Sequence, residues 1–188
     1  MTATSELVVE FFAHMDAGDR TQWRDEPDRR PLTELGRRQS EHLAAALATR
    51  PIDAVFSGPA LRCLQTLEPL ATRLGLLPVV LNDLRAGDGF PAPPGFEGLE
   101  PTAGYGGAFI AGRALNALRH IQTLHPSGRV AVCTHGDVVP AVLALLAGLE
   151  DLKLSPLPAQ RGGWHSFYFR DGRVDVVQND VLPNFPNA

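Results

Sequence analysis

Cysteine is scarce in this 188-residue chain: Cys63 and Cys133 are the only two. A disulfide framework is therefore excluded as the organising principle. Both cysteines sit among apolar neighbours and read as buried thiols in a reducing compartment. No apolar run approaches the ~18 residues that a membrane-spanning helix needs. The opening Met1-Thr2-Ala3-Thr4-Ser5-Glu6 lacks the pattern of a signal peptide, so the expectation is a cytoplasmic protein without a membrane partner. Basic residues are not in excess. Seventeen Lys and Arg against 21 Asp and Glu give a net charge of −4, which removes the general basic footprint of a nucleic-acid binder. A local cluster can still be positive inside an acidic protein, so an anionic substrate stays open. There is no Walker-type Gly-Lys-Ser/Thr loop, and Gly104-Tyr105-Gly106-Gly107 has no strand before it, which argues against nucleotide-binding loops of either kind. His42, His120, His125 and His165 lack metal-ligand spacing and read as surface or packing residues.

The content that remains is that of an ordinary globular protein, 44% hydrophobic and 20% charged, and residues 1–188 read as a single domain. Glu6–Phe12 is β-branched and aromatic, as a buried strand should be. Leu35, Leu43, Ala46 and Leu47 place an apolar stripe along a helix over 34–49, with Thr33 as its cap. Pro51–Phe56 predicts a second strand. A second helix keeps its spacing to Leu74 and stops at Gly75, and Pro78–Leu81 reads as a third strand. Residues 86–107 hold seven Gly and four Pro, which predicts a loop or lid, with Phe90, Phe96 and Tyr105 available to an apolar leaving group. Helical spacing resumes at Ile110, Ala114, Leu118 and Ile121. Arg129–Cys133 is a fourth strand and Val138–Leu149 a buried helix. Trp164–Phe169 and Val174–Val177 flank Asp171-Gly172, a strong hairpin signal. Strands alternating with helices predict an α/β protein of three layers, α/β/α. Its sheet should be mainly parallel, with a C-terminal antiparallel hairpin.

In such a sheet ligands bind beyond the carboxyl ends of the strands. His14 follows the first strand, Ser57-Gly58-Pro59-Ala60-Leu61-Arg62 the second, Asp83 the third, and His135-Gly136 the fourth. Helix N-termini after Ser57 and His135 would aim backbone N–H groups into that crevice, and Arg62 adds a donor fork suited to phosphate oxygens. Two imidazoles, an arginine, helix amides and one carboxylate describe a phosphoryl-binding pocket with a nucleophile and an acid. Arg29-Arg30 and Arg37-Arg38 read as charge pairs on a solvated face.

These segments resemble the histidine phosphatase superfamily, the phosphoglycerate-mutase-like proteins, and within it the short SixA-like branch. The resemblance is carried by His14-Met15-Asp16-Ala17-Gly18-Asp19-Arg20, Arg30-Pro31-Leu32-Thr33 with Gly36, Ser57-Gly58-Pro59 with Arg62 and Thr66, and Thr134-His135-Gly136-Asp137. The chain departs from the family at three positions. Where the family has Arg before the first histidine it has Ala13, and the small residue after that histidine is Met15. The acid position, usually Glu, is matched by Asp83. The resemblance implies a phosphoglycerate-mutase-like fold, no cofactor and no metal. It also implies His14 as nucleophile through a phosphohistidine, with Arg62, Ser57, Arg20 and Gly136 on the substrate, His135 stabilising charge and Asp83 protonating the leaving oxygen. The expected partner is a small phosphorylated or anionic substrate, or a phosphohistidine protein. Loss of the leading arginine implies an impaired site, with Arg20, Arg85 or Arg113 as replacements. Two other functions follow from the same residues: a non-catalytic phosphate- or anion-binding relative, and an enzyme whose Ala13 and Met15 make an apolar pocket for a non-phosphate substrate.

Overall fold

A computed structural model describes residues 6–87, 103–152, 162–179 and 185–186. Six strands form one sheet in the order β3-β2-β4-β1-β5-β6: β1 is Leu7–Ala13, β2 Ala54–Ser57, β3 Val79–Val80, β4 Gly128–Thr134, β5 Trp164–Arg170 and β6 Arg173–Asn179. β1, β2, β3 and β4 run parallel, whereas β5 joins β1 and β6 joins β5 antiparallel. The predicted hairpin is present. Asp171 and Gly172 turn it with φ of 49° and 76°, as a two-residue turn between twisted strands requires.

Helices cover both faces. On one, α3 (Ala103–Leu124) and α4 (Val138–Glu150) pack on Leu7, Val9, Phe11, Val130, Val132 and Phe167. On the other, α1 (Glu34–Leu47) and α2 (Leu61–Leu74) pack on Phe12, Val55, Ala131 and Cys133. Period-two alternation along β1 and β4 explains the division, and burial on both faces explains why these strands are apolar throughout. The polar exception is Glu10, fully buried in β1. Its carboxylate meets Arg50 at 2.9 Å and also engages Arg129 and the Ser166 hydroxyl, which together compensate its desolvation.

Element ends shift where backbone partners decide them. Thr33 caps α1 by accepting from the Gly36 N–H, and Gly75 ends α2 with φ of 67°. The second strand starts at Ala54 rather than Pro51. Proline has no N–H, and the Asp53 carboxylate takes the Arg129 N–H at 2.8 Å before ladder pairing begins. The expected loop over 86–107 is corrected at its end: α3 begins at Ala103, so Gly104, Tyr105, Gly106 and Gly107 are helical. Residues 88–102, with Phe90 and Phe96, lie outside the described residues. Among the described residues no helix is long and apolar enough to cross a membrane.

What positions the site is the strand order. β4 lies between β2 and β1, with Ala13 opposite Thr134 and Ser57 opposite Cys133. Three parallel strands therefore end side by side, and the residues leaving them face one crevice.

Candidate active site

His14 and His135 are the first residues beyond β1 and β4. The ladder continues one bond past the strands, from His14 N–H to the Thr134 carbonyl at 2.9 Å, which fixes the two backbones side by side. Their rings stand 5.3 Å apart, centroid to centroid, at 76°. Arg62 enters from the first turn of α2, after β2, and its side chain is buried between them. Each part of the guanidinium is used. Nε donates to His14 Nε2 at 3.1 Å, Nη2 stands 3.2 Å from His135 Nδ1, and Nη1 donates to the Pro27 carbonyl at 2.7 Å. The two imidazoles and the arginine, separated by 48 and 73 residues of chain, are thus one cluster.

The His14 tautomer follows from its partners. Nδ1 stands 2.7 Å from the Met15 carbonyl, which only accepts, so the ring hydrogen sits there and Nε2 carries the lone pair. Burial is the largest influence on its pKa and lowers it. The Met15 hydrogen bond opposes that shift, while His135, Arg62 and Arg30 add to it, and the result is about 3. His14 is therefore a neutral imidazole at physiological pH.

The turn that holds this ring is braced from several elements. Thr66 Oγ1 accepts the Met15 N–H at 3.0 Å, and Gln39 Oε1 accepts the Asp16 N–H at 2.9 Å. Thr33 donates to the Asp16 carboxylate at 2.6 Å. Gly36 allows α1 to approach, since a Cβ there would lie 2.0 Å from the Asp16 carbonyl oxygen.

A cavity of about 460 Å³ opens above the cluster. Among the described residues its wall is completed by Arg20, Trp23, Asp25, Pro27 and Arg30 from the β1–α1 connection, and by Ala86, Gly136 and Asp137 opposite. Arg30 is tied back by Nη1 bonds of 2.8 Å to the Ala17 and Gly18 carbonyls. Asp137 accepts the Gly87 N–H at 2.6 Å.

Of the residues expected at a site, His14, His135, Arg62, Arg20 and Gly136 lie on this cavity. Ser57 does not: it is fully buried, and its hydroxyl donates to the Gly58 carbonyl at 2.7 Å. Asp83 sits in a short 3-10 turn, Asn82–Leu84, with its carbonyl accepting from Arg113; from that segment the residue on the wall is Ala86. Arg113 also binds the Arg85 and Ala86 carbonyls, so it braces this segment rather than lining the cavity. Met15 is fully buried in the α1–α2 core, so it does not make the pocket apolar. Arg30 corrects the solvated-face reading of Arg29-Arg30: Arg29 pairs with Glu26 at the surface, whereas Arg30 turns inward. Trp23, Asp25 and Asp137 line the cavity beyond the residues expected from the sequence. The first two carry no periodic signal, but Asp137 follows His135-Gly136 and is legible by the same strand-end argument.

The chain belongs to the histidine phosphatase superfamily (branch 1), whose model matches residues 16–88 and 95–180. It is 30% identical over 134 residues to an 8-oxo-(d)GTP phosphatase of Mycolicibacterium smegmatis, covering 69% of this chain and 34% of that protein. The chain thus spans about a third of the length of this curated relative. Among solved structures, YhfR of Bacillus stearothermophilus superposes with a TM-score of 0.70 at 21% identity, covering 92% of this chain and 96% of that one. The protein histidine phosphatase SixA, complexed with tungstate, gives 0.64 at 23% identity, covering 92% and 96%. These two share the fold.

Proposed function

We propose that this protein is a phosphatase that hydrolyses a small phosphoester or phosphohistidine through a phosphohistidine intermediate on His14. The observation that carries the reading is the state of that ring: neutral, fixed by the Met15 carbonyl, with its Nε2 lone pair turned to the buried Arg62 guanidinium.

In the proposed first step His14 Nε2 attacks phosphorus. A P–N bond forms as the P–O bond to the leaving group breaks, and negative charge collects on the equatorial and leaving oxygens. Arg62, its Nη2 held by His135 Nδ1, takes the equatorial oxygens, with Arg20 and the Gly136 N–H on the outer side. The proton for the leaving oxygen is assigned to Asp137, the cavity carboxyl beside His135, in preference to Asp83. Water then attacks phosphorus as its proton passes to the Asp137 carboxylate, the P–N bond breaks, phosphate leaves, and His14 and Asp137 return to their starting forms. Ser57 acts by shaping the turn after β2.

Ala13 supplies no guanidinium before His14, and we assign a weakened site to that absence. One preorganised donor lost from such a pocket costs roughly 10²–10³ in rate. Arg20 and Arg30 are the cavity cations placed to offset part of it. The curated relative is named as a phosphatase of 8-oxo-(d)GTP, and SixA as a protein histidine phosphatase. Both names support a phosphorylated substrate. Trp23 adds an aromatic surface and Asp25 a polar one, which fit a substrate with a planar or hydroxylated body.

Turnover of p-nitrophenyl phosphate tests the reading, with His14→Ala as control. Turnover that disappears in the variant supports it. Phosphate binding with no turnover would mean a binding relative instead, and neither activity nor phosphate affinity would mean that the pocket serves a different substrate.

A further inference from the structure

His135 is held at both ring nitrogens, and only one of its partners belongs to the cavity. At Nδ1 it meets Arg62, 3.2 Å away. A guanidinium has no acceptor, so Nδ1 supplies the lone pair and the ring hydrogen sits on Nε2. That Nε2 stands 3.5 Å from Sγ of Cys63, a residue outside the cavity wall. Sγ is also 3.4 Å from the Thr134 carbonyl, to which its hydrogen points. The set is self-consistent: Nε2–H donates to sulfur and S–H donates to the carbonyl of the residue before His135. Cys63 is fully buried in the first turn of α2, directly after Arg62, so one helical turn presents both partners of the ring. Gly58 leaves the space for it: a Cβ there would lie 3.4 Å from His135 Nε2 and 2.8 Å from the Leu84 carbonyl oxygen.

We propose that Cys63 is a positioning residue whose sulfur holds the His135 Nε2–H, fixing the tautomer in which Nδ1 accepts from Arg62 and so sets the angle of that guanidinium beside His14. The inference rests on the reading of Arg62 as the phosphoryl-binding group. The chemistry of the sulfur agrees. Burial alone would push the Cys63 thiol up, but Cys133, His135 and the Arg62 charge outweigh it and draw it down. Cys133, buried beside it, is pushed up. Of the two sulfurs, Cys63 is the one in contact with His135. Thiols usually accept weakly, so this neighbourhood is what makes a cysteine effective here.

The test compares full-length wild type, Cys63→Ser, Cys63→Ala and Cys63→Val. Valine keeps the side-chain volume without an acceptor, should alanine destabilise the core. Long-range proton–nitrogen NMR reads the His135 tautomer, with His14 as internal reference, and p-nitrophenyl phosphate gives kcat and KM. Wild type and Cys63→Ser should show a single Nε2–H tautomer at His135. Alanine and valine should show a mixture of tautomers and a kcat lower by about tenfold, with KM within about twofold. An unchanged tautomer in the alanine and valine variants, or a serine variant that behaves like them, overturns the proposal. The NMR comparison needs no turnover. A wild type with the Nε2–H tautomer but no phosphatase activity would therefore sink the functional reading while leaving the sulfur contact standing.

Discussion

Arg62 places its Nε 3.1 Å from Nε2 of His14, on the lone pair that an attack on phosphorus requires. The guanidinium therefore occupies the place where a phosphoryl group would enter. It would exchange an imidazole partner for phosphoryl oxygens without leaving the cluster, because Pro27 and His135 hold its other nitrogens. Three contacts from three different nitrogens are beyond a lysine ammonium. Arg62→Ala and Arg62→Lys should both lower kcat/KM for p-nitrophenyl phosphate by about 10²–10³. Lysine activity close to wild type would show that only the charge matters.

The low pKa of His14 makes stability depend on pH. In the folded protein its ring, held down by burial and by His135, Arg62 and Arg30, titrates near 3; in the unfolded chain it titrates near 6.5. Between those values the unfolded chain binds the additional proton, so its contribution is complete above pH 6.5 and is lost progressively as pH falls towards 3. His14→Asn removes this titration. Urea midpoints at pH 7 and pH 5 should therefore fall further in wild type than in the variant, and equal falls would contradict the assigned ring state.

Asp137 and Asp83 separate by leaving group. Asn keeps the oxygen that accepts the Gly87 N–H but cannot supply a carboxyl proton. Asp137→Asn should slow an alkyl phosphate by about 10²-fold, and p-nitrophenyl phosphate much less, because nitrophenolate leaves without protonation. Asp83→Asn should leave both rates near wild type. The reverse pattern would return the acid to the turn after β3.

Ala13→Arg tests the missing guanidinium. Ala13 ends β1 beside Thr134, directly before the proposed nucleophile. The added arginine should raise the phosphatase rate or the affinity for inorganic phosphate by about tenfold or more. If neither quantity changes, the pocket is not organised for phosphate.

The sequence exposes the strand-end residues more readily than the residues that close the cavity over them. β1 and β4 are buried on both faces, so their apolar runs stand out, and the histidines that follow them can be placed by topology alone. Arg62 is legible for the same reason, one turn into a helix that starts at a strand end. Arg20, Trp23, Asp25 and Arg30 lie in a segment with only short 3-10 turns and no apolar period. What fixes their positions is long-range: Arg62 on the Pro27 carbonyl, Arg30 on Ala17 and Gly18, and Gln65 Oε1 on the Leu32 N–H at 2.8 Å. Such contacts leave no local pattern. The start of α3 fails for a different reason. Gly104, Gly106 and Gly107 are poor helix formers, and packing of the later turns through Ala114, Ala117, Leu118 and Ile121 overrides that propensity. Asp83 follows β3 in a 3-10 turn, yet the residue of this segment on the cavity wall is Ala86. A turn of that kind reverses which side chain faces a crevice, and polarity alone does not reveal it.

The central claim is that His14 Nε2 becomes bonded to phosphorus. Turnover quenched in alkali, where phosphohistidine persists, followed by peptide mass spectrometry and phosphorus NMR, measures this directly. The account predicts a phosphoryl group on Nε2 of His14, absent from His14→Ala and accumulating when release by water is slowed. An active protein that turns over substrate with His14 never phosphorylated would contradict it.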